Sequence, residues 1–172
     1  MREIYTHIIG TSRLQSSTRY VSEENGFDYY KPPKIANNAD ANLAYEETMA
    51  KIQDGYNKQL QLGTQKEDAA NLLPLGMDSK MVWKINLRSL VNFCNLRLCT
   101  RALKEIRDFA NELKSILAQQ NEEWAWIADN ILVPKCEQYK YMNPNLVFCT
   151  EDHCCGRHHK IGDIKEIIYE SK

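Results

Sequence analysis

The spacing of apolar residues in the first half of the chain predicts one long helix. After Asn38 the apolar side chains recur at steps of four, three, four and four residues, which places them on one face of a helix. These residues are Tyr45, Met49, Ile52, Tyr56 and Leu60. We expect the helix to begin near Asn38 or Asp40 and to end at Gly63, because glycine commonly follows a helix C-terminus.

In the second half of the chain the pattern predicts a short strand followed by helices. Residues 81–85 alternate as in a half-buried strand, and Asn86 is a good N-cap for a helix over Leu87–Arg97. The residues of that helix that we expect to face inward are Leu90, Phe93 and Leu96. Thr100 is the expected cap of the next helix, and a last helical segment holds Trp124 and Ile127 before Pro134. The expected core stripe of the helix after Thr100 is Leu103, Ile106, Ala110, Leu113 and Leu117.

Turn and breaker residues organise the remaining segments. The β-branched and aromatic residues up to about Ile9 predict a strand, followed by a loop over Gly10–Ser17. Asn25-Gly26 predicts a turn, and the proline pair within Lys31–Lys34 argues against regular helix there. Thr64–Glu67 has the composition of a capping box at the start of a short helix. Together these patterns predict the α+β class, with helices dominant.

Composition and charge narrow the class of protein further. The chain has 172 residues, the size of one ordinary domain, with 43% hydrophobic and 26% charged residues, so it is not a disordered chain. It has no apolar run long enough for a membrane span, and its first residues lack the apolar core of a signal peptide, so we expect a cytoplasmic protein without membrane attachment. A net charge of −1 argues against non-specific nucleic-acid binding. A locally basic stretch, Lys80–Arg107, suits a small anionic ligand or is simply a solvated helix face.

Two polar segments carry candidate binding chemistry. The segment Ser12–Tyr20 contains two arginines and four serine or threonine hydroxyls, which can hold a phosphate or a pyrimidine edge, although an ordinary serine-rich turn has the same composition. In the helix that begins after Asn86, the residues Arg88, Asn92 and Asn95 share one face. Asparagine is unfavourable inside a helix, so a ligand that needs amide groups is one explanation, and an exposed polar face is the other.

The end of the chain collects cysteine and histidine. The residues are Cys136, Cys149, His153, Cys154, Cys155, His158 and His159. In a cytoplasmic protein such a set is more often reduced thiol or a metal site than disulfide. Zinc ligands usually come in close pairs such as C-x2-C, which this segment lacks, so the sequence predicts free thiols and no metal ligands, with a structural zinc as the alternative.

Two blocks of the sequence resemble the flavin-dependent thymidylate synthases. Ser17-Thr18-Arg19-Tyr20 is similar to the S-x-R-Y end of that family's signature. Leu73-Pro74-Leu75 and the block Trp83–Arg97, continued by Arg101–Arg107, resemble its second conserved region in order and spacing. The resemblance covers roughly Ile4 to Leu117.

The resemblance implies a fold and a reaction. The fold is a helix-rich single domain with a small antiparallel sheet. The reaction is the methylation of dUMP to dTMP in a homotetramer, with FAD as cofactor and with NADPH and methylenetetrahydrofolate as co-substrates. Carried over by position, Gln15, Ser17 and Arg19 would bind dUMP, and Arg97 would be both a substrate-binding and a catalytic residue. The FAD-binding residues would be Asn86, Arg88 and Asn92.

The sequence also departs from the family pattern. The R-H-R that opens the signature falls on His7-Ile8-Ile9, and Ala70 stands where the family has a phosphate-binding arginine. The sequence therefore predicts a divergent or N-terminally truncated member, with residues 1–133 as the synthase-like domain and 134–172 as a Cys/His-containing tail. The alternative is a non-catalytic nucleotide-binding or assembly protein that keeps the fold but has lost the flavin site.

Overall fold

The computed structural model describes residues 11–162. The predicted strand up to Ile9 and the positions that replace R-H-R therefore lie outside the described residues. Within them the chain is helix-rich with one two-stranded antiparallel sheet, so the predicted α+β class is confirmed. In chain order the strands are β1 (Thr11–Gln15) and β2 (Met81–Ile85). The α-helices are α1 (Pro33–Ala36), α2 (Ala39–Gln61), α3 (Lys66–Ala69), α4 (Leu87–Arg97), α5 (Lys104–Ala118) and α6 (Glu122–Asn130), and the short 3-10 turns are Ala70–Leu72 and Lys135–Glu137.

The chain divides into two compact units, and residues 13–83 form one of them. Its long helix α2 begins after Asn38, within the predicted range, and the Asn38 side chain caps it by accepting a hydrogen bond from the Ala41 N–H at 3.0 Å. Tyr56 is fully buried on the inner face of α2, and its hydroxyl accepts a hydrogen bond from the backbone N–H of Glu23 at 3.3 Å. Gly63 follows the helix with φ +86°, a conformation that favours glycine.

Three local predictions in the first half of the chain are wrong. The segment Thr11–Gln15, predicted as part of a loop, is strand β1, and its pairing continues with the Ser16 N–H on the Lys80 carbonyl at 3.0 Å. A four-residue helix begins at Pro33, where proline is tolerated because the first helical N–H needs no partner. Thr64 is not a cap: α3 begins after Gln65, and the Thr64 hydroxyl is hydrogen-bonded to the Gln59 side chain at 2.9 Å.

Among the described residues, the other unit contains residues 84–162 together with residues 11 and 12. Helix α4 begins after Asn86 and ends at Arg97, as predicted, because the Asn86 side chain accepts a hydrogen bond from the Ser89 N–H at 2.9 Å. Leu90 and Phe93 are buried, and the Phe93 ring meets that of Phe109 from α5 nearly edge-on, with centroids 6.1 Å apart. The other buried apolar residues of this unit include Cys94, Leu98, Ile106, Ala110, Ala128, Leu132 and Val133.

Two leucines of this unit that the helical period predicts to face the core are exposed in the structure. Leu96 is 45% exposed and Leu103 is 66% exposed, although both belong to predicted core stripes. Helix α5 begins after Leu103 without a side-chain cap, so Thr100 is not its N-cap. The Thr100 carbonyl instead accepts a hydrogen bond from the Arg107 guanidinium at 2.8 Å.

Length and hydropathy separate these helices from membrane spans. Among the described residues, no helix combines the length and the apolar character needed to cross a bilayer.

Candidate functional site

Helix α4 presents a polar face that its N-cap helps to fix. Asn86, Arg88 and Asn92 are all exposed, and Asn95 is half-buried one turn further on. The side-chain oxygen of Asn86 is engaged by the Ser89 N–H, so its NH2 group is the part of the amide that can face a ligand. Arg88, Asn92 and Asn95 therefore offer one guanidinium and two amides along a single side of the helix, and the Asn86 amide lies at the start of the helix.

Arg97, the last residue of α4, lines a cavity of about 260 Å³. Its side chain is half-buried, and the Nε and Nη2 atoms are shielded from solvent. Two more arginines line the same cavity. Arg101 is paired with Glu151 at 2.5 Å, and Arg157 lies 3.5 Å from the Glu137 carboxylate. The cavity is thus lined by three guanidinium groups, a composition that suits an anionic ligand.

The chain after Pro134 contributes much of the remaining cavity wall, and the cavity as a whole is rich in thiols. The cysteines that line it are Cys99, Cys136, Cys149, Cys154 and Cys155, together with His153 and His158. All six cysteines of the chain are free thiols in the structure.

Burial makes two of the thiols poor nucleophiles. Burial raises the pKa of Cys94 to about 12 and that of Cys136 to about 11. Cys155 is exposed, and a hydrogen bond from Thr100 lowers its pKa below the usual value. Cys94 is buried on the inner side of α4, where its thiol packs against the core of this unit.

Three residues of this region come together as possible metal ligands. The thiol of Cys136, the carboxylate of Glu137 and the imidazole of His158 place one ligand atom each within 4.8 Å of one another. Cys136 and His158 belong to the cysteine–histidine pattern of the sequence, whereas Glu137 does not, because a carboxylate is not part of that pattern. The available signal was an acidic residue directly after a cysteine.

In the unit of residues 13–83, the predicted substrate residues lie in and after β1. The Gln15 side chain donates a hydrogen bond to the Ser79 hydroxyl at 3.3 Å. The Ser17 hydroxyl accepts a hydrogen bond from the Arg19 backbone N–H at 3.3 Å, which tightens the turn. The Arg19 side chain is 63% exposed and its Nε lies 2.6 Å from the Glu67 carboxylate.

A second cavity, of about 460 Å³, lies in this unit and contains Ser17 in its wall. Neither Gln15 nor Arg19 lines it. Its charged lining residues are three acids and one base, namely Glu23, Asp28, Asp78 and Lys80. That balance does not favour a phosphate inside this cavity.

The seven predicted site residues are divided between the two units. Gln15, Ser17 and Arg19 belong to the unit of residues 13–83. The residues of the other unit are Asn86, Arg88, Asn92 and Arg97.

Comparisons with known proteins place this chain beside one family. The family model described as "Thymidylate synthase complementing protein" matches residues 1–121. Proteins named flavin-dependent thymidylate synthase are similar to it: that of Pyrococcus abyssi is 35% identical over 76% of this chain and 54% of its own length. The protein of that name from Nitratidesulfovibrio vulgaris is 34% identical over 84% of this chain and 58% of its own length. The one from Clostridium tetani is 29% identical over 91% of this chain and 63% of its own length. The chain therefore spans about half to three-fifths of the length of these relatives.

Proposed function

The chain belongs to the thymidylate synthase complementing protein family, and from this membership we propose that it methylates dUMP to dTMP in thymidylate biosynthesis. The proposed one-carbon donor is methylenetetrahydrofolate, the proposed cofactor is FAD, and the proposed reductant is NADPH. We also propose that the protein acts as a homotetramer in the cytoplasm. The names of the similar proteins support the flavin and the thymidylate chemistry, and they do not favour a non-catalytic binding protein.

The geometry of α4 is the observation that carries the proposal. A capped helix holds Arg88 and Asn92 on an exposed face and ends with Arg97 in the wall of a cavity. Polar residues on a rigid helix are held more accurately than residues on a loop, which a site for two ligands requires.

Arg88 and Asn92 on this face, and Asn86 at the start of the helix, fit a flavin nucleotide by their chemistry. The Arg88 guanidinium is a strong partner for a diphosphate, and the amides of Asn86 and Asn92 can donate to phosphate or ring oxygens. All three are exposed, so each can reach a bound nucleotide without a change in the core. When bound and reduced, the flavin supplies a hydride, which no side chain can provide.

Arg97 is the proposed catalytic residue. A guanidinium is always cationic near neutral pH, so it can stabilise negative charge that develops on the uracil ring as C5 becomes nucleophilic. The half-buried position of Arg97 supports this role, because a charge acts more strongly where water is partly excluded.

The proposed dUMP ligands of the other unit are Gln15, Ser17 and Arg19. In the described structure the Arg19 guanidinium is paired with Glu67, and both side chains are well exposed. An exposed ion pair contributes little, about 0–1 kcal/mol, so a phosphate can compete with Glu67 for this guanidinium.

The first experiment measures flavin and nucleotide binding by the purified chain. We expect visible flavin absorbance, either as purified or after incubation with FAD, and a change in that spectrum when dUMP is added. Formation of dTMP from dUMP, methylenetetrahydrofolate and NADPH is then measured by chromatography. A chain that binds dUMP but never takes up FAD contradicts the proposal and agrees with the non-catalytic alternative.

The second experiment separates the role of Arg97 from the general charge of the cavity. Arg97→Ala should abolish turnover, while Arg101→Ala removes a guanidinium from the same cavity and should leave turnover within about threefold of the unmodified chain. Circular dichroism of both variants checks that the helices are intact. Full turnover in the Arg97→Ala variant would refute the assigned role.

A further inference from the structure

The candidate metal ligands come from two segments that the backbone holds together. Cys136 and Glu137 lie in the 3-10 turn that follows Pro134, and His158 lies in a loop 21 residues beyond Glu137. The Phe148 N–H donates to the Cys136 carbonyl at 2.9 Å, and the Cys149 N–H donates to the His159 carbonyl at 2.7 Å. These bonds tie the turn and the loop together through residues 148–149, so the ligand side chains are brought close by folded backbone.

The donor atoms are those that zinc prefers, at separations close to those it needs. A thiolate, a carboxylate and an imidazole bind Zn²⁺ at about 2.0–2.3 Å, so tetrahedral ligand atoms lie roughly 3.5 Å apart. The three ligand atoms here lie within 4.8 Å of one another, and the His158 Nε2 is 3.1 Å from the Glu137 Oε1. Side-chain movements of roughly 1 Å bring all three to one ion.

The charges around the cluster are compatible with a divalent cation. Glu137 also lies 3.5 Å from the Arg157 guanidinium and 4.0 Å from the Lys140 ammonium. Zn²⁺ with one thiolate, one carboxylate and a neutral imidazole has no net charge, so binding leaves no excess positive charge beside the two bases. All three ligand residues are half-buried, which limits competition from water.

The cavity that Cys136 and His158 line can provide a fourth ligand. Cys99, Cys149 and Cys154 line the same cavity. The Cys154 thiol already lies beside the ligand-bearing loop, 3.0 Å from the His158 carbonyl oxygen. A tetrahedral site is therefore completed either by a thiolate of this wall or by water.

We propose that Cys136, Glu137 and His158 bind one Zn²⁺ ion, which fixes the loop that carries His158 to the turn after Pro134. These ligands follow the residues 1–121 that the family model matches, and two of them, Cys136 and His158, line the cavity that also contains Arg97. Zinc binding is measured directly, so its failure is distinguishable from failure of the proposed synthase reaction. The role of the zinc is structural: the ion links the turn after Pro134 to a loop that lies 21 residues further along the chain.

The test measures zinc in the full chain purified without chelator, by elemental analysis and by competition with a chelating dye. We expect about one equivalent of zinc, and a higher unfolding temperature with Zn²⁺ than after its removal. Cys136→Ser and His158→Ala should each weaken zinc binding by at least about tenfold. The matched controls Cys155→Ser and His159→Ala, which remove a thiol and an imidazole from exposed neighbours, should retain the metal.

A Co²⁺ titration of the unmodified chain gives a result that does not rely on any variant folding. Visible bands of tetrahedral Co²⁺ with a thiolate charge-transfer band are expected. Less than about a tenth of an equivalent of zinc, with no cobalt spectrum and no thermal stabilisation by Zn²⁺, overturns the proposal. Zinc binding that survives both Cys136→Ser and His158→Ala overturns it as well, because the ion would then be held by other groups.

Discussion

Phe93 and Leu96 lie three residues apart on α4, and truncating each to alanine tests which of them the core covers. Phe93 is 1% exposed and meets Phe109 edge-on, whereas Leu96 is 45% exposed. Phe93→Ala removes a fully packed ring and leaves a cavity, so it should lower the free energy of unfolding by about 3–5 kcal/mol. Full burial of a leucine side chain contributes roughly 1.5–3 kcal/mol, so Leu96→Ala should cost about 1 kcal/mol, because nearly half of the side chain already meets water.

Urea unfolding followed by circular dichroism measures both changes on the same helix. The measurement is repeated at several protein concentrations, since a subunit interface over Leu96 would make its cost depend on concentration. Equal, concentration-independent losses for Phe93→Ala and Leu96→Ala would refute the reasoning from burial and would favour the core stripe that the helical period predicts. A much smaller loss for Phe93→Ala than for Leu96→Ala would also refute it.

Two further predictions follow from the titratable groups. Cys155 should react with iodoacetamide far faster than Cys94, because a hydrogen bond from Thr100 lowers the pKa of Cys155 while burial raises the pKa of Cys94 to about 12. Peptide mass mapping over time checks this order of reaction. Equal rates for the two thiols would contradict it. A hydrogen bond from Lys31, with a second from a tyrosine hydroxyl, lowers the pKa of Glu46 below 4.5. The contribution of the ionised Glu46 to stability is therefore present above pH 4.5 and is lost as the pH falls through the lowered pKa. Glu46→Gln should therefore reduce the loss of stability between neutral pH and acid, as measured by urea unfolding at several pH values, and an unchanged acid profile would contradict the assignment.

Sequence patterns located the helices well where the signals are local. The sequence predicts a helix start near Asn38 or Asp40 and an N-cap at Asn86. Both asparagine side chains accept a hydrogen bond from the N–H three residues ahead. The same reasoning failed at Thr64, whose hydroxyl is taken up by Gln59 on the preceding helix. Several groups can hydrogen-bond to the side chain of a candidate capping residue, and the sequence pattern does not show which of them lies nearest in the folded chain.

The candidate site could be predicted in part. The family resemblance marked Arg97 and the polar face of α4, and the structure gives Arg97 a place in a cavity wall and leaves Arg88 exposed. The roles of these residues stay predictions. Glu137 was missed because its closeness to His158 depends on a contact between residues 21 positions apart, for which the sequence has no repeating pattern.

By itself the sequence determined the helix-rich class, the bounds of α4 and the family. These depend on hydrogen bonds within a few residues and on the order of short motifs, and both are present in the linear chain. Only the tertiary structure decided that Thr11–Gln15 is a strand, that Leu96 faces water, and that Cys136 and Glu137 meet His158. Each of these depends on which distant segment lies alongside, since burial and strand pairing are properties of neighbours in space.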